Sequence, residues 1–74
     1  MADMTVDARG LQCPMPVIKT AQAIGKIDKG QTLEIIASDK GALSDIPAWA
    51  DDMGHRVTEQ FEDEGAYHFI LEKS

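Results

Sequence analysis

The sequence predicts an α/β (α+β) two-layer sandwich in βαβαββ order, a four-stranded mixed sheet with two helices on one face. Two strand-like runs near the start are each followed by a segment with apolar residues at helical spacing. Two further strand-like runs close the chain, joined by the turn residues Asp63-Glu64-Gly65. A βαβ unit crosses over with one hand, so consecutive units place both helices on the same face.

Met4 to Asp7 is the first strand, and Arg9-Gly10-Leu11-Gln12 follows as a loop, with Gly10 free to take a backbone angle that other residues resist. Pro14 to about Ile27 is the first helix, with Val17, Ile18, Ala21 and Ile24 as its apolar stripe and Lys19, Gln22 and Lys26 opposite. Lys29-Gly30 turns the chain into the branched strand Thr32 to Ala37. A second helix covers Ala42 to Met53, with Leu43, Ile46, Ala50 and Met53 on one side and Trp49 beside them. Pro47 costs about 3 kcal/mol inside a helix, so regular structure is expected to start near Asp45 as its N-cap. Gly54 suits the position after the helix end. His55 to Glu62 is the third strand, with Val57 and Phe61 on one side, and Ala66 to Glu72 the fourth.

The 74 residues read as one domain, 1–74. A chain this short has a small core, and a single cysteine cannot form an internal disulfide. No apolar run approaches the roughly 20 residues that span a bilayer, and the N-terminus lacks the pattern of a secretory signal. The expected compartment is cytoplasmic, where a lone thiol stays reduced. The net charge of −6 falls wholly in residues 41–74, since residues 1–40 balance five basic against five acidic side chains. Such acidity disfavours direct nucleic-acid binding, because phosphate backbones are repelled.

Cys13-Pro14-Met15-Pro16 carries the most chemical information. Prolines are tolerated in a first helical turn, which places Cys13 at the N-cap with its sulfur at the positive end of the helix dipole. Of the first three helical residues only Met15 has an N–H to offer the sulfur. The prolines therefore stiffen the start of the helix rather than build an anion cradle. A helix N-terminus lowers a thiol's pKa, here by less than about one unit for a dipole term of roughly 0.3–1 kcal/mol, giving a mildly acidified thiol. His55 and His68 read as partly exposed strand positions. One cysteine and two scattered histidines supply no zinc set, and no cofactor motif is present, so neither metal nor cofactor is expected. A nucleophile without a base suits a cargo site whose chemistry a partner completes. The competing reading is a buried structural cysteine.

The run from Asp7 to Pro16 resembles the signature of the TusA-like (SirA-like) sulfur-carrier family, CPxP preceded by Arg-Gly. Gly30 with TLEI, Asp45-Ile46-Pro47-Ala48-Trp49 and Gly54-His55 match its later motifs in order. The resemblance implies the same two-layer fold, akin to the C-terminal domain of translation initiation factor 3, and a free-standing carrier. It implies that Cys13 accepts sulfur as a persulfide from a cysteine desulfurase or rhodanese. An acceptor protein then takes it, for tRNA thiolation, cofactor synthesis or sulfur oxidation. Arg9, Gly10, Pro14, Met15 and Pro16 would support the site, with Arg9 either paired with Asp7 or facing the sulfur. Lys19, Lys26 and Lys29 would steer an acidic donor. The expected carrier is a monomer with no membrane partner. Alternatives are a regulatory or interaction module without sulfur cargo, and an RNA-binding domain. A thiol oxidoreductase is disfavoured, because no second cysteine resolves a mixed disulfide.

Overall fold

A computed structural model describes residues 2–74. Its elements are β1 (Met4–Ala8), α1 (Met15–Ile24), β2 (Thr32–Ala37), α2 (Ala42–Asp52), β3 (Arg56–Asp63) and β4 (Ala66–Glu72), in the expected order. The sheet runs β1-β2-β4-β3, with β1 parallel to β2 and the other pairings antiparallel.

One sheet face carries the core. Leu33, Ile35 and Ala37 alternate along β2, and register sets Leu33 beside Leu71 and Ile35 beside Phe69. Ile24 and Ala23 from α1 and Ala42, Ile46 and Ala50 from α2 close over them in a single cluster. The other face presents Glu34, Ile36, His68 and Ile70, each half-buried.

Three packing details depart from the sequence expectation. The buried stripe of α1 is Pro16, Thr20, Ala23 and Ile24, while Ile18 and Ala21 face solvent. Thr20 can be buried because its hydroxyl donates to the Pro16 carbonyl at 2.8 Å. In α2 the helix begins at Ala42, so Asp45 is not its N-cap but lies in its first turn. Pro47 sits inside the helix, and Leu43, whose carbonyl it leaves without an N–H donor, is exposed. Gly54 follows the Met53 cap at φ +80°, the left-handed value that suits glycine there.

The third departure is in β3. Val57 pairs with Leu71, but the register shifts between Val57 and Glu59, so that Glu59 opposes Ile70 and Phe61 opposes His68. The extra residue is a bulge, and it reverses which face each later side chain meets. Val57 thus turns to the helices, whereas Phe61 lies on the open face, stacked on His68 with ring centroids 4.6 Å apart.

Candidate functional site

β1 and β2 are parallel neighbours, so their C-terminal ends release both helices at the same end of the sheet. This topology brings the loop before α1 against the loop before α2, a common place for functional groups in α/β folds. Gly10, at φ +81°, turns the first loop and donates its N–H to Ser38 Oγ at 2.8 Å. The Cys13 N–H donates to Asp39 Oδ2 at 2.9 Å. Gly10, Leu11, Gln12, Ser38 and Asp39 line an open groove of about 270 Å³.

Cys13 is exposed, so the buried structural reading of this residue does not hold. It is not, however, the N-cap of α1. That position is Pro14, and the Cys13–Pro14 peptide bond is cis. The Met15 N–H, expected to face the sulfur, donates instead to the Gln12 carbonyl at 2.8 Å, closing a turn ahead of the helix. Pro16, the second residue of α1, is buried and anchors the helix start in the core. Met15 is 38% exposed.

The thiol points across to α2, where it donates to Asp45 Oδ2 at 2.8 Å. Accepting this hydrogen bond, Asp45 pushes the Cys13 thiol above its ordinary pKa. Partial desolvation and the negative charges of Asp45 and Asp39 act the same way. The expected mild acidification is therefore overturned, because the sulfur meets two carboxylates rather than a free helix N-terminus. Sequence reading assigned Asp45 only a capping role. The signal that could have found it is topological, since parallel β1 and β2 must set the starts of both helices side by side.

Arg9 pairs with Asp7. Its Nε and Nη2 donate to the two Asp7 carboxylate oxygens at 2.9 and 2.8 Å, and its backbone N–H adds a third bond at 3.0 Å. This fork lowers the Asp7 pKa to about 2. A depressed carboxylate stabilises the fold above its unfolded value, and that contribution fades as pH falls through the folded one. Any such gain is therefore full above about pH 4 and lost near pH 2. A carboxyl-carbon NMR titration of Asp7 should show a midpoint near 2 in the native chain and a return toward 3.8 in Arg9→Ala. Equal midpoints in the two proteins would disprove the pairing in solution.

Neither histidine is tied to the site. His68 Nδ1 donates to Glu34 Oε2 at 2.8 Å on the open face. His55 packs near Trp49, with ring centroids 5.6 Å apart. Among the described residues no group of three His, Cys, Asp or Glu side chains is placed to hold a metal ion, and no helix is long and apolar enough to cross a membrane. Lys19 is exposed on α1, one turn from Met15, whereas Lys26 is exposed in the turn after the helix end. Lys29 lies beyond the far end of α1, a helix about 15 Å long, and so at the opposite end of the sheet from Cys13.

A family profile described as Sulfurtransferase TusA matches residues 4–73. The chain belongs to the TusA family. Its similarity to the sulfur carrier protein TusA of Allochromatium vinosum is 36% identity over 72 residues, covering 97% of this chain and 95% of the relative. YrkI of Bacillus subtilis is 40% identical over 72 residues, covering 97% of this chain and 96% of its own. Among solved structures, a SirA-like protein from Desulfitobacterium hafniense superposes with a TM-score of 0.83 at 24% identity, covering 93% of this chain and 95% of that one. At that identity the superposition speaks for the TusA fold alone.

Proposed function

We propose that this chain is a sulfur carrier of a single domain, with Cys13 as the atom that takes and gives up sulfur as a persulfide. The observation that carries the reading is the exposed thiol at the junction of both helix starts, in a family of sulfurtransferases. A donor such as a cysteine desulfurase or rhodanese supplies the sulfur, and an acceptor protein removes it. tRNA thiolation, cofactor synthesis and sulfur oxidation are the processes such an acceptor would serve.

The surroundings fit a cargo site. Arg9 and Gly10 shape the loop that carries the cysteine, and Pro14 and Pro16 fix it to α1. Met15 offers an exposed, adaptable apolar contact to a partner. Lys19 extends that contact along α1 and, with Lys26 in the turn beyond it, attracts an acidic donor, with Lys29 acting only through long-range charge. The carrier works as a monomer in the cytoplasm, leaving the cysteine free for two partners in turn.

The test is incubation with a cysteine desulfurase and cysteine, followed by intact mass. A gain of about 32 Da that a thiol reductant removes, and that prior alkylation of Cys13 blocks, is the expected result. No gain in mass with active desulfurases and rhodaneses would end the carrier reading. Running the assay across salt concentration reads the lysine contribution, which screening should weaken.

A further inference from the structure

The contact between Cys13 and Asp45 deepens the carrier reading and rests on it. An empty carrier has a thiol proton to give, and Asp45 Oδ2 accepts it across 2.8 Å. Loading changes what stands there. The donor's S–S bond breaks, a new S–S bond forms at Cys13 Sγ, and the donor cysteine leaves with the proton that the Cys13 thiol gives up. Donor persulfide plus Cys13 thiol thus becomes donor thiol plus Cys13 persulfide, with no net oxidation. A persulfide is more acidic than a thiol, so its outer sulfur loses its proton to water and becomes an anion.

That anion has no hydrogen bond to donate and meets like charge. Asp45 faces it from the first turn of α2, and Asp39 from the preceding loop, where the Cys13 and Gly41 N–H groups hold its carboxylate. Among the described residues no opposite charge is paired with the sulfur. Arg9 is bound to Asp7, the first turn of α1 holds no charged residue, and Lys40, beside Asp39 in sequence, is exposed to solvent. We propose that Asp45 is a positioning residue that distinguishes the empty carrier from the loaded one, latching the thiol against α2 and turning the charged outer sulfur away toward solvent. The donor then meets a held thiol, and the acceptor a presented sulfur.

The latch is read by iodoacetamide alkylation of the full chain against pH, which needs no sulfur donor and is therefore independent of the carrier reading. Asp45→Asn removes the charge and should move the profile to lower pH, making alkylation at pH 7 faster than in the native chain. Asp45→Glu keeps the charge and should restore most of the native profile. Superposed profiles for the native chain and Asp45→Asn, or equal shifts for both variants, would overturn the latch. If Asp45→Asn does not fold, the Cys13 Cβ carbon titration of the native chain decides, since a midpoint at or below that of an unstructured cysteine also overturns it. For the turning-out, the Asp45 carboxyl-carbon resonance should shift when the native protein is loaded, and an unmoved resonance would sink that half. Failure to load with an intact alkylation difference would sink the carrier reading alone.

Discussion

Phe69→Ala is expected to cost about 3–5 kcal/mol, the usual range for truncating a buried phenylalanine. Phe69 is fully buried on the inner strand β4 beside Ile35, in the core cluster to which both helices contribute. No larger side chain in this core is so completely enclosed. A domain of this length has a total stability of roughly 4–11 kcal/mol at the common per-residue rate, so the loss takes much of it. With a urea slope on the order of 1 kcal/mol/M, the unfolding midpoint should fall by roughly 3 M, or the native baseline vanish. Phe61→Ala is the control. Phe61 is 40% exposed and gives up mainly its stack on His68, worth roughly 0.5–1.5 kcal/mol. Similar losses for the two variants would mean that the bulge in β3 does not exist in solution.

That contrast marks where sequence reading stops. The alternation of β2 and β4 and the turn at Asp63-Glu64-Gly65 are local signals, and they yield the order of elements along the chain and the antiparallel hairpin directly. The bulge after Val57 leaves no local sign, because it is defined against partner residues on β4. Thr20 entered the core only because a carbonyl four residues back satisfies its hydroxyl, which polarity counting does not see. The helical period of α1 was plain, but its phase was not, since Ile18 and Thr20 exchanged places relative to their hydrophobicity.

The site divides the same way. A cysteine bracketed by loop and proline residues can be singled out from the chain alone, whereas its exposure is decided by the fold. The direction of its electrostatics could not be read. It depends on Asp45, 32 residues away, and on Asp39, 26 away, both delivered by the parallel pairing of β1 with β2. A dipole estimate made on α1 in isolation gives the wrong sign, because a full charge at hydrogen-bond distance outweighs a partial charge that falls off within the first turn.

Cys13→Ser is expected to abolish sulfur loading completely while leaving the fold as it was. Serine is close in shape, and its hydroxyl can still donate to Asp45, so the α1–α2 contact survives. Cys13 is exposed and contributes nothing to the core cluster, which keeps the stability change within about 0.5 kcal/mol. Yet the hydroxyl cannot form an S–S bond, and the sequence holds no second cysteine to take over. Intact mass after desulfurase treatment should therefore show no added sulfur, while circular dichroism melts of the two proteins overlay. Donor binding should persist, because Met15, Lys19 and the loop are untouched, which makes this variant a competitor that slows loading of the native carrier. The interaction-module reading predicts the opposite in cells: a serine variant that folds, binds and fully replaces the native chain. Full replacement would show that what matters is the surface around residue 13, not the sulfur on it.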